Sequence, residues 1–170
     1  MLGAIVLSLA ALFLALALVL RQRAGLPWGR IAATDVGVGR PLERPLVAAR
    51  YRLTGKPDYL IERGGVLIPV EVKPGRQALQ PYDADLMQLA AYCLLVEETT
   101  GRAPPYAVLR YANATFRLEY RPDVRRRLLA LIADMHALLD ADDVARSHDD
   151  PRRCAACGFR GVCDDALADG

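Results

Sequence analysis

Residues 55–75, GKPDYLIERGGVLIPVEVKPG, decide the fold, with DLMQLAAY at 85–92 as their complement. Two apolar alternating runs meet at Gly64-Gly65, and a Gly-Gly pair between such runs signals a two-residue hairpin. With those glycines as the turn, Arg63 pairs with Val66, Ile61 with Ile68 and Tyr59 with Val70. Asp58 is then carried opposite Glu71.

Alternation sorts the hairpin into faces. Tyr59, Ile61, Val66, Ile68, Val70 and Val72 share one, read as the core face, and Asp58, Glu71 and Lys73 share the other. Two carboxylates directly opposed across a strand pair have Cβ atoms about 4.5–5.5 Å apart and repel one another. A hard divalent cation such as Mg²⁺ relieves that repulsion, because it takes oxygens from one or two carboxylates and retains water for chemistry. Lys73, about 7 Å along the strand from Glu71, adds a cation for a phosphate oxygen or the attacking water. Asp58 followed by Glu-Val-Lys thus reads as a phosphodiesterase centre. The plain alternative is a solvated hairpin face carrying the same charges.

The next segment is a helix over 86–100, with Asp83 and Asp85 as caps and Gly101 as its stop. Leu86, Leu89, Ala90, Cys93 and Val96 form one stripe; Gln88, Tyr92 and Leu95 form another, nearly opposite. Gln88 and Tyr92 lie one turn apart. On an apolar helix both need polar partners, and the metal site, a nucleic-acid backbone or, for the hydroxyl, a main-chain carbonyl would serve.

Asp58 in GKPDYL, Glu71 and Lys73 in PVEVK, and Gln88 to Tyr92 in QLAAY together resemble the PD-(D/E)xK nuclease core of the RecB type with its Q-x-x-x-Y motif. In particular they resemble the CRISPR-associated exonuclease Cas-four family, over residues 54–165. The resemblance implies a restriction-endonuclease-like α/β fold. It implies that Asp58, Glu71 and the Val72 carbonyl bind Mg²⁺ or Mn²⁺, that Lys73 is catalytic, and that Gln88 and Tyr92 support the site. It also implies single-stranded DNA as substrate, cleavage from 5′ to 3′, and partners among CRISPR adaptation or DNA repair proteins. Family members carry an upstream histidine and an upstream cysteine; this chain has neither before Asp58.

Of 170 residues, 53% are hydrophobic although 25% are charged, and the N-terminus accounts for the excess. Residues 2–20 contain no charge and at about 1.5 Å per residue are long enough for a hydrocarbon layer of about 30 Å. Residues 1–21 are therefore read as a transmembrane anchor, a cleaved signal peptide being the alternative. Arg21 and Arg23 then place the catalytic domain in the cytoplasm. Residues 22–45, rich in Gly, Pro and Arg, read as a linker with short extended pieces, with Trp28 at the headgroup level. A nuclease core over 46–145 follows, then a cysteine segment over 146–170.

Within the core, 46–53 reads as an entering strand, and 106–111 and 115–120 as strands around a turn at Asn113. Pro122 opens a helix to Leu139, with Val124, Leu128, Ile132, Met135 and Leu139 as its buried stripe. Net charge is only +2. The basic excess is local: Arg125, Arg126 and Arg127 form one run, and Arg146, Arg152, Arg153 and Arg160 lie near the cysteines. Both are candidate phosphate contacts, with a solvated helix face as the alternative for the run.

Cys154, Cys157 and Cys163 follow C-x2-C-x5-C, and in a reducing compartment such spacing points to a metal or a cluster. Zinc and iron–sulfur both remain open on these residues, since each takes four ligands and three are evident. The resemblance implies an iron–sulfur cluster, commonly 4Fe–4S, pinning the C-terminal segment. The absent upstream cysteine would be the fourth ligand; His148, Asp149 and Asp150 are substitutes, while Cys93 reads as a core thiol and His136 as structural. The rival functions are a non-catalytic nucleic-acid-binding or scaffold module, and a zinc-stabilised membrane adaptor.

Overall fold

The computed structural model describes residues 2–24, 29–34, 42 and 44–168. In chain order the elements are α1 (Leu2–Ala24), β1 (Arg30–Thr34), β2 (Leu46–Ala48), β3 (Leu53–Gly55), β4 (Tyr59–Arg63), β5 (Val66–Lys73), α2 (Asp83–Thr100), β6 (Tyr106–Tyr111), β7 (Thr115–Glu119), α3 (Pro122–Leu139) and α4 (Pro151–Ala155). The chain divides into two compact units, Met1–Ala130 and Leu131–Gly170. The boundary falls within α3.

The glycine hairpin forms in the expected register, with Tyr59↔Val70, Ile61↔Ile68 and Arg63↔Val66 paired. Gly64 and Gly65 both take positive φ, 59° and 73°, as a tight turn between right-twisted strands requires. From β5 the chain crosses through α2 and returns as β6, parallel to β5, because parallel neighbours need a crossover of helix length. The five strands run β1-β4-β5-β6-β7, and only the β5/β6 pair is parallel.

Both faces of this sheet are apolar, as expected where a central strand is covered on two sides. Ile61, Ile68, Val70, Tyr106 and Val108 pack together on one side, with Tyr59, Val66 and Val72 at the margin. On the other side α2 lies over Ala107, Leu109 and Tyr111, contributing Leu89, Tyr92, Cys93 and Leu95. The hairpin face assigned to the acids is therefore not a free surface; it is roofed by α2. Both predicted stripes of α2 are buried apart from the half-buried Leu86 and Gln88. Gly101, with φ of 70°, caps the end of this helix as expected.

Three local expectations change. Residues 46–53 do not make one strand: β2 and β3 form a separate hairpin around a 3-10 turn at Ala49–Tyr51, with Arg52 at φ 49°. Arg30–Thr34, within the stretch read as a linker, pairs with β4 as an edge strand; Trp28 and much of that stretch lie outside the described residues. In α3, Leu128 and Ile132 are buried, but Met135 and Leu139 are 54% and 72% exposed.

The transmembrane anchor is withdrawn, and with it the membrane partner and the membrane-anchored, cytoplasm-facing localisation. Among the described residues no helix is long and apolar enough to cross a membrane.

Candidate functional site

The site lies where β5 ends, α2 begins and the residue before β4 comes alongside. The Val72 N–H donates to Asp58 Oδ2 at 2.7 Å, so the register that pairs Tyr59 with Val70 also fixes the Asp58 carboxylate beside Glu71. Glu71 Oε1 accepts from Lys73 Nζ at 3.2 Å and from Gln88 Nε2 at 3.0 Å. Gln88 Nε2 also lies 2.9 Å from the Tyr92 hydroxyl, which in turn donates to the Lys56 carbonyl at 3.4 Å. The structure thus brings together Asp58, Glu71, Val72, Lys73, Gln88 and Tyr92. Of the three kinds of partner considered for Gln88 and Tyr92, two are seen, the acidic site and a main-chain carbonyl. The close seat of Tyr92 depends on Gly55, where a Cβ would come within 3.1 Å of the ring.

Burial pushes the Glu71 carboxyl above the ordinary glutamate range; the neighbouring Asp58 charge pushes the same way, and Lys73 and Gln88 pull back. Its second oxygen, Oε2, is buried and has no hydrogen-bond partner. An orphaned carboxylate oxygen next to a second carboxylate is the environment a hard cation completes. Asp58 and Glu71, held side by side, present the charged oxygens that such an ion takes. Among the described residues no group of three or more His, Cys, Asp or Glu side chains converges on a metal position, so water would fill the rest of the shell. Tyr92 is pushed up to about 12, chiefly by burial, and stays a neutral donor at working pH.

Asp85, assigned above to a helix cap, is instead part of the site. Tyr82 precedes the helix without a side-chain cap bond, and Asp85 is only 5% exposed. Its Oδ2 accepts from Arg76 Nη1 at 2.6 Å and from the Tyr111 hydroxyl, while Lys73 Nζ stands 3.8 Å from Oδ1. Burial alone would raise this carboxyl, but the bonds from Tyr111 and Arg76 outweigh it and hold it below the ordinary aspartate range. Helical spacing carried a signal: Asp85, Gln88 and Tyr92 are three and four residues apart and share a face. Arg76 and Tyr111 had none, since only the fold brings them to Asp85.

Within the arginine run, Arg125 is structural. Arg125 Nε bonds Glu97 Oε2 at 3.0 Å, and Tyr120 donates to the same oxygen at 3.0 Å. Arg127 pairs with Asp83 at 3.5 Å. In the second unit, Arg146 is tied to Asp149 at 2.9 Å and to the Asp165 backbone.

Cys154, Cys157 and Cys163 line a single cavity of about 480 Å³ with Arg146 and His148. Cys154 is buried and the other two are exposed. As donors they suit a soft metal or a cluster, but they do not form a closed shell. His148 Nδ1 accepts the Asp150 N–H at 3.2 Å. Cys93 is a buried core thiol, its pKa driven up by burial.

Comparison with known proteins follows the same lines. The family model for the PD-(D/E)XK nuclease superfamily matches residues 5–164. A CRISPR-associated exonuclease Cas4/endonuclease Cas1 fusion from Myxococcus xanthus is 30% identical over 132 residues, 74% of this chain and 23% of the fusion. A CRISPR-associated exonuclease Cas4 from Aeropyrum pernix is 31% identical over 132 residues, 74% of this chain and 66% of the relative. One from Francisella tularensis subsp. novicida is 25% identical over 118 residues, 68% and 58% of the two chains. This chain therefore spans less than two thirds of each of these curated relatives.

Proposed function

The chain belongs to the PD-(D/E)XK nuclease superfamily, and from that premise we propose that it hydrolyses phosphodiester bonds in DNA with Mg²⁺ or Mn²⁺ held by Asp58, Glu71 and the Val72 carbonyl. The observation that carries the reading is the buried, partnerless Glu71 Oε2 beside Asp58. Such an ion supplies Lewis-acid polarisation of the scissile phosphate and a lowered pKa for bound water.

The chain's own residues do the rest. The Val72 N–H fixes the Asp58 carboxylate. Gln88, oriented by Tyr92, holds one Glu71 oxygen and leaves the other free for the metal. Lys73 orients the attacking water and steadies the negative charge that develops on the phosphate. The roof of α2 excludes bulk water from one side, which strengthens these electrostatic contacts.

The reading extends to single-stranded DNA and 5′ to 3′ exonuclease action, on family resemblance and the names of the relatives. The Myxococcus xanthus relative is a fusion with endonuclease Cas1, which supports a partner in CRISPR adaptation; DNA repair is the alternative setting. The test is cleavage of end-labelled single-stranded DNA with Mn²⁺, Mg²⁺ or EDTA. Metal-dependent release of nucleotides from the 5′ end is expected. Binding without metal-dependent cleavage would favour a scaffold that keeps the fold.

For the C-terminal segment we infer an iron–sulfur cluster on Cys154, Cys157 and Cys163, with zinc as the rival, and no catalytic step passes through it. Full-length chain purified without oxygen is expected to contain iron and acid-labile sulfide. Stoichiometric zinc in their place would reassign the triplet, and neither metal would remove the inference.

A further inference from the structure

A cavity of about 460 Å³ opens beside the candidate site, lined by Lys73, Gly75, Arg76, Gln77 and Tyr82. We propose that it holds the nucleotide flanking the scissile phosphate in a single DNA strand, with Arg76 on the phosphate and Tyr82 stacked on the base. This subsite rests on the nuclease reading above and shares Lys73 with it.

Geometry places Arg76 for that role. Its N–H donates to the Lys73 carbonyl at 3.1 Å, so the chain turns immediately after β5 and brings the arginine back beside the lysine. One buried carboxylate, Asp85, then holds both cations, Arg76 at 2.6 Å and Lys73 at 3.8 Å. Tethered to the same group, they can serve neighbouring phosphates of one strand. The Arg76 side chain remains 43% exposed, and a guanidinium has further donors beyond the bond it gives Asp85. The charge of Asp85 does not repel the phosphate outright, because Arg76, Lys73 and the Tyr111 hydroxyl already engage it.

Tyr82 supplies the apolar half. Its backbone N–H donates to Tyr111 at 3.2 Å, which anchors the residue independently of its ring. Tyr82 as a residue is 51% exposed, and the Arg76 guanidinium sits 5.1 Å from its ring centroid. An exposed aromatic beside a cation is the combination on which single-stranded bases stack. A paired and stacked duplex base cannot reach such a platform, so the pocket favours a single strand or a frayed end.

The test measures binding apart from cleavage: fluorescence anisotropy of a labelled single-stranded deoxyoligonucleotide on the full chain, with Ca²⁺ as the divalent ion and intact substrate verified on a gel. Tyr82→Ala is expected to weaken binding roughly tenfold, and Tyr82→Phe, which keeps the ring, to restore it. Arg76→Gln is expected to lower the slope of log K against log salt by about 0.7, the share of one phosphate contact on a single strand. An oligonucleotide with one abasic position at the pocket should lose affinity with the wild type and lose nothing further with Tyr82→Ala. Wild-type affinity in Tyr82→Ala, or an undiminished abasic penalty in that variant, would overturn the subsite. A wild type that cleaves while all variants bind alike keeps the chemistry and loses the pocket. A wild type that never cleaves but shows the Tyr82 dependence keeps the pocket and loses the nuclease.

Discussion

Lys73→Ala and Asp58→Asn each lose DNA cleavage by about 10²–10⁴-fold while melting close to the wild type. The two variants remove different parts of the proposed chemistry without opening the fold. Lys73 donates to Glu71 Oε1, but that oxygen keeps its bond from Gln88 at 3.0 Å when the ammonium is gone. Asparagine at 58 retains an oxygen for the Val72 N–H, now 2.7 Å away, and removes only the charge. Asp58→Ala is a poorer probe, since it strands a partly buried N–H at a cost of about 1–3 kcal/mol. Initial rates with Mn²⁺, measured beside thermal melts, decide the matter. Wild-type rates in both variants would take Asp58 and Lys73 out of the reaction.

The residues that could be read in advance are those whose partners are set by local rules. Gly64-Gly65 dictated the hairpin register, that register put Asp58 beside Glu71, and helical spacing joined Gln88 to Tyr92. What escaped depends on distant partners. Asp85 is an acid near a helix start, which propensity alone assigns to capping; its role follows from Tyr111, 26 residues later on β6. The strand at Arg30–Thr34 has a Gly, Pro and Arg context on either side, and only pairing with β4 makes it a strand. Arg52 turns the β2/β3 hairpin in a left-handed conformation that non-glycine residues seldom adopt, so no glycine marked the break. The same holds for Arg125, whose charge suggested phosphate until Glu97 and Tyr51 claimed it.

Glu71→Gln is expected to abolish cleavage and yet to melt higher than the wild type in EDTA at neutral pH. The acid is raised above its ordinary value of 4.5, first by burial and then by the Asp58 charge, so the native state binds its proton more tightly than the unfolded chain does. Stability therefore falls as pH climbs from the ordinary glutamate range through the raised value, and above that value the penalty is complete. Glutamine has no proton to lose. Its amide keeps an oxygen for Lys73 and Gln88 and puts a donor where Oε2 stands without a partner. The gap in melting temperature should close as pH drops below the ordinary glutamate range, where both side chains are neutral. Mn²⁺ should reverse the order at neutral pH, because a ligand that binds only the native wild type stabilises it by mass action, and a divalent charge favours the ionised carboxylate that burial opposes. A Glu71→Gln chain that melts below the wild type in EDTA at neutral pH would mean that Glu71 is a satisfied structural acid. The repulsion between the two carboxylates would then no longer argue for a metal.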